Sequence, residues 1–196
     1  MSSLPERTLK LDLARFMAAI PRGELWVFGY GSLMWSPDFP FAERRTGLVH
    51  GFHRSLCIYS HRYRGTPEQP GLVMGLCRGG SCWGVAFRIE SHRVRRTLAT
   101  LWDREMINRV YEPRFVPVRL GRRAVRAVAF VADPGHRQFA GRLSVARTAR
   151  VVAQGCGQRG QNLDYLAQTV AHMEELGVRE GRLHEVLGAA RRLCRT

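Results

Sequence analysis

Lysine is almost absent. Of 31 basic residues only Lys10 is not arginine, and 16 acidic residues leave a net charge of +15. Dense positive charge is the electrostatic footprint of phosphate binding. Here, however, it is spread along the whole chain, and no basic block runs beyond Arg-Arg. A coding preference for arginine accounts for this at least as well as a nucleic-acid partner does, and attraction of small acidic substrates is the better use of such a field. Long apolar runs are missing too: no window approaches the roughly 18 residues of a membrane span. Glu6, Arg7, Lys10, Asp12 and Arg15 interrupt the first turns, which excludes a secretory apolar segment. The five cysteines (57, 77, 82, 156 and 194) are odd in number and lack framework or zinc-knuckle spacing. Reduced thiols and a cytoplasmic setting are expected. Histidines form no H-x-x-x-H or H-E-x-x-H pair, so no metal is expected. Ser32 has no G-x-S-x-G elbow around it. Neither internal repeats nor low-complexity segments occur.

What remains is an ordinary globular composition in 196 residues, enough for one domain with a sizeable core. Residues 1–23 read as an extension carrying a short amphipathic helix, about 9–20. Its Leu13, Phe16, Met17 and Ile20 recur at helical spacing, and Pro21 and Gly23 stop it. Residues 24–196 read as a single domain. Trp26-Val27-Phe28 is a buried strand that breaks into Gly29-Tyr30-Gly31-Ser32. There two glycines free the backbone for a close approach, and a strand end with free N–H groups and a hydroxyl suits a carboxylate or phosphate. A tight turn after a core strand would look the same.

A long curved strand is expected over 43–60, with bends at Gly47 and Gly51. Arg64 to Gly71 is a shaped loop. Strands at 72–77 and 81–89 flank Arg78-Gly79-Gly80, which has hairpin turn chemistry. Ser91 would cap a helix reaching about Asn108. Strands follow at 111–120 and 123–131, then helices at 144–154, 161–176 and 180–193. The chain is thus α+β. About six strands and several glycine bends favour a small barrel-like mixed sheet, surrounded by helices, over a flat sheet.

Val94, Leu98, Leu101 and Trp102 form the apolar stripe of the inserted helix. At about 100° per residue Glu105 falls in that stripe. A carboxylate facing a core is costly unless paired or protonated, and desolvation raises its pKa towards the range useful for proton transfer. The pattern alone fits at least as well a buried ion pair to an arginine, or a helix emerging into solvent at its last turn.

Val27-Phe28-Gly29-Tyr30-Gly31-Ser32-Leu33-Met34-Trp35 resembles the opening motif of the ChaC family, glutathione-specific γ-glutamylcyclotransferases. Three further blocks follow in that family's order. Arg64-Gly65-Thr66 with Gln69-Pro70-Gly71 is similar to its arginine-glycine-threonine loop. Leu101 to Met106, then Tyr111 and Pro113, is similar to its R-E-M segment. Gly157, Gly160, Asn162, Tyr165 and Leu166 are similar to its late helix start. Leu72 departs from it, standing where many members carry arginine.

The resemblance implies a six-stranded barrel-like core and no metal or organic cofactor. It implies Glu105 as catalytic general acid/base, and Val27, Phe28, Gly29, Tyr30, Gly31, Ser32 and Leu33 as the substrate loop, with Tyr165 a further hydrogen-bonding contact. The implied activity is that of a lyase converting glutathione, its small-molecule partner, to 5-oxoproline and cysteinylglycine. A cyclotransferase for other γ-glutamyl amino acids or amines, or a non-enzymatic binding protein on the same fold, are the alternatives.

Overall fold

The computed structural model describes residues 12–20 and 23–195. The expected lead-in at 1–8 and the first residues of the first helix lie outside that range. Residues 12–18 are helical (α1). Phe16 of α1 stacks on Phe115 with ring centroids 5.1 Å apart and tilts against Trp102 at 5.4 Å, so the helix is fastened to the barrel by aromatic contacts.

Five strands close the barrel: β1 (Leu25–Gly29), β2 (Glu43–Ser60), β3 (Gly71–Ile89), β4 (Tyr111–Leu120) and β5 (Arg123–Ala132), in the order β1-β3-β2-β4-β5. Closure comes from parallel pairing of β1 with β5, Trp26 opposite Ala127 and Val27 opposite Val128. Both faces of the strands are covered: Val27, Phe87 and Val128 pair across neighbouring strands and share one face, Phe28 lies on the other, and all four are completely or almost completely buried. Each such side chain contributes about 1.5–3 kcal/mol.

The expected hairpin at Arg78-Gly79-Gly80 is instead a bulge within one 19-residue strand, which is why the barrel has five strands and not six. His50 pairs with Ser81 and Phe52 with Arg78, leaving Gly79 and Gly80 opposite Gly51 alone. All three glycines have positive φ (92°, 72° and 80°). The extra residue bends the β2–β3 ribbon round the barrel without reversing it.

Ser91 does not cap the next helix. A 3-10 turn, Ser91–Arg93, precedes α2 (Val94–Glu105), and no side chain caps either start. Helix α3 (Val145–Gln154) does begin at a Ser144 cap, whose Oγ accepts from the Arg147 N–H. A two-stranded ribbon, β6 (Cys156–Gly157) with β7 (Gly160–Gln161), was not foreseen. It leads into α4 (Asn162–Glu175) and α5 (Gly181–Leu193), which pack with α3 against one another. No helix among the described residues is long and apolar enough to cross a membrane.

Candidate active site

β1 delivers the chain to Tyr30 and Gly31, and a 3-10 turn, Ser32–Met34, follows at once. The N–H groups of Met34 and Trp35 are taken by the carbonyls of Gly31 and Ser32 (2.9 and 3.2 Å). The N–H groups that open such a turn have no acceptor within it. Tyr30 anchors the turn from below. Its hydroxyl donates to the Phe130 carbonyl (2.6 Å), and its own carbonyl accepts from the buried guanidinium of Arg54. Space at Gly31 is tight: a Cβ there would stand 3.3 Å from both the Tyr165 hydroxyl and Met74 Cβ.

Asn162 and Tyr165 lie one turn apart on α4 and reach β3 two residues apart. The Asn162 amide accepts from the Leu72 N–H (2.6 Å) and donates to the Leu72 carbonyl (2.7 Å), as a neighbouring strand would. The Tyr165 hydroxyl accepts from the Met74 N–H (3.1 Å), while Tyr111 of β4 donates to the Met74 carbonyl (2.9 Å). Side chains thus satisfy this stretch of β3. Leu72, the departure from the family pattern, is fully buried there.

Glu105 ends α2 with its side chain 17 % exposed. Burial pushes its carboxyl above 4.5, and the charges of Arg104 and Arg159 oppose that rise. Arg104 Nε lies 3.1 Å from Glu105 Oε1; the same guanidinium donates to Ser32 Oγ (2.7 Å), the Ser36 carbonyl (2.6 Å) and Asp38 Oδ2 (2.6 Å). Burial also pushes the Tyr165 hydroxyl up to about 12, so it keeps its proton at neutral pH.

These groups meet in one cavity of about 140 Å³. Of the residues singled out in the sequence, Tyr30, Gly31, Ser32, Leu33, Glu105 and Tyr165 line it. Val27, Phe28 and Gly29 do not: they form the barrel wall in β1, with the two side chains in the core. The lining also includes Arg62, Arg64, Arg104 and Arg159, a basic rim that the even spread of arginine along the sequence concealed. Arg64 lies over the Tyr165 ring (5.2 Å), and β6–β7 bring Arg159 to the Tyr63 ring (4.8 Å). Among the described residues no cluster of histidine, cysteine, aspartate or glutamate could hold a metal ion.

The barrel with its flanking helices is a γ-glutamyl cyclotransferase fold. It superposes on the crystal structure of the yeast cyclotransferase specific to glutathione with a TM-score of 0.81, covering 87% of this chain and 96% of that one at 21% identity. The glutathione-specific γ-glutamylcyclotransferase of Escherichia coli K12 is 36% identical over 184 residues, 93% of this chain and 80% of the relative. Human glutathione-specific γ-glutamylcyclotransferase 1 is 32% identical over 170 residues, 82% of this chain and 77% of the relative. Residues 25–192 match the ChaC-like protein family, and the chain belongs to it.

Proposed function

We propose that this protein cleaves glutathione to 5-oxoproline and cysteinylglycine, with Glu105 as general acid/base. The observation that carries the reading is a buried, pKa-raised carboxylate sharing one small cavity with an open turn and a basic rim. The relatives named above, glutathione-specific cyclotransferases in bacteria and man, supply the substrate.

Glutathione holds both reactants. Its α-amine is the nucleophile and its γ-amide carbonyl the electrophile, so the protein's first task is to bend the γ-glutamyl chain into a near-attack conformer. The N–H groups at Gly31, Ser32 and Leu33 hold the α-carboxylate, and the arginine rim holds the glycine carboxylate. An α-amine has a pKa of about 8 and is mostly protonated at neutral pH. Glu105 takes its proton as the nitrogen attacks, then returns one to the departing cysteinyl nitrogen, a role worth about 10²–10⁴ in rate. One C–N bond forms, one breaks, and water is not consumed. Tyr165 keeps a proton with which to hold the substrate.

Incubation with glutathione beside γ-glutamyl-alanine tests this. Release of 5-oxoproline from glutathione in preference is expected. Equal release from both would mean a broader cyclotransferase, and release from neither would refute the enzyme reading.

A further inference from the structure

Cys57 and Cys77 play no part in that chemistry. Cys57 is the bulged residue of β2, between the pairs Leu56–Met74 and Ile58–Val73, and Cys77 faces His53 further along β3. Their Sγ atoms are nonetheless 3.3 Å apart. Gly75 permits this: a Cβ there would stand 2.5 Å from Cys57 Sγ, so the thiol leans over the bare backbone towards Cys77. Cys57 is buried, whereas Cys77 is half-buried. Both line a second cavity of about 460 Å³, whose lining includes Arg142, Arg182 and His53. Their neighbours Ile58, Val73 and Met74 line the first cavity. The dithiol therefore spans the wall between the two.

We propose that Cys57 and Cys77 are a redox pair, which a small disulfide entering the second cavity closes into an intramolecular disulfide that slows the reaction in the first.

The chemistry balances with a low-molecular-weight disulfide as oxidant. Hydrogen bonding from Cys57 holds Cys77 below the ordinary thiol value, while the same bond and burial push Cys57 up. Cys77, the more acidic and accessible thiol, attacks one sulfur of the small disulfide and expels its other half as a thiolate. Cys57 then attacks the Cys77 sulfur and expels the second half. Two protein S–H bonds become one S–S bond, the small disulfide is reduced to two thiols, and these take up both protons.

A disulfide needs a separation of about 2.05 Å, so the sulfurs must close by more than about 1 Å. The bulge at Cys57 and the strand at Gly75 supply the movement. Met74 is next in line, and both its backbone groups are gripped by Tyr165 and Tyr111. The effect on turnover rests on the proposed function, and it makes glutathione the reductant as well as the substrate.

The test treats the full chain with bis(2-hydroxyethyl) disulfide, which has no γ-glutamyl group for the protein to consume. Alkylation, proteolysis and mass spectrometry then follow. A Cys57–Cys77 cross-linked peptide is expected, absent from Cys77→Ser. Free Cys57 and Cys77, or a mixed disulfide that stops at Cys77, overturns the pair. The treated protein, desalted and given glutathione, should show a lag as substrate reduces it. Its initial rate should be at least about tenfold low, since misplacement by about 1 Å costs up to about 10²-fold. Reduced protein and treated Cys77→Ser should start without a lag. A linear course from cross-linked protein overturns the coupling to the site. If even reduced protein releases no 5-oxoproline, the proposed function fails, and the cross-link alone decides the redox pair.

Discussion

Arg104 and Glu105, adjacent in the chain, meet again in space: Nε of one lies 3.1 Å from Oε1 of the other. The arginine also holds Ser32 Oγ, so one guanidinium ties the proposed base to the proposed carboxylate-binding turn. Burial and Arg104 pull the Glu105 carboxyl in opposite directions, and burial prevails. A raised pKa makes the carboxylate a better proton acceptor, which suits a base that must take a proton from an amine.

Glu105→Gln should lose at least about 10² in turnover while still binding glutathione, measured by 5-oxoproline release and calorimetry. Its stability should change with a definite sign. The folded-state pKa is raised, so folding favours the protonated form. The cost of the charge is absent in acid and appears as pH rises through the folded-state value. The amide variant should therefore melt with wild type at low pH and above it at neutral pH. Melting below wild type at neutral pH would show that the Arg104 contact outweighs burial.

Arg104→Met removes the strongest influence holding the Glu105 pKa down. The acid limb of the pH–rate curve, which follows ionisation of the base, should move to higher pH. KM for glutathione should rise as well, because the Ser32 contact goes with it. An unmoved limb would assign the proton transfer to another group.

Gly31→Val should raise KM and lower kcat together. A Cβ at this position stands 3.3 Å from the Tyr165 hydroxyl and from Met74, and a branched side chain pushes both away from the cavity. Unchanged kinetics in a folded variant would move the carboxylate-binding site elsewhere.

Arg54→Met tests what supports the turn. The buried guanidinium donates to the carbonyls of Tyr30 and Trp83, to Glu180 and to Met173 Sδ. Methionine leaves these acceptors and a mostly buried carboxylate without their donor. A loss of about 3–5 kcal/mol in urea unfolding is expected. A loss below about 1 kcal/mol would mean that the turn holds itself.

Arg54 also marks the limit of the sequence. Its partners lie 24, 29, 119 and 126 positions away, and a strand arginine among many arginines carries no local sign of burial. Glu105 was legible because helical periodicity is local: Leu98, Leu101 and Trp102 are indeed buried, and Glu105 continues their stripe. The glycines at 79 and 80 misled because positive φ serves a hairpin and a bulge alike, and only the partner strand tells them apart. The positions of Asn162 and Tyr165 matched the family motif. That both side chains stand in for a missing strand beside Leu72 and Met74 depends on how α4 docks, which their spacing does not carry.

Blocking the substrate's amine separates cyclisation from ordinary hydrolysis without altering the protein. N-acetyl-glutathione keeps the γ-amide, the thiol and both carboxylates but has no free amine to close the ring. If the attacking atom is that amine, the acetylated compound must survive even where it binds. Competition against glutathione will show whether it does bind. A hydrolase acting through activated water would need the amine only for binding, and would still cut the γ-amide. The expected result is 5-oxoproline from glutathione, no cleavage of the acetylated compound, and no glutamate from either. Release of N-acetylglutamate would disprove cyclisation and leave Glu105 as the base for a water molecule instead.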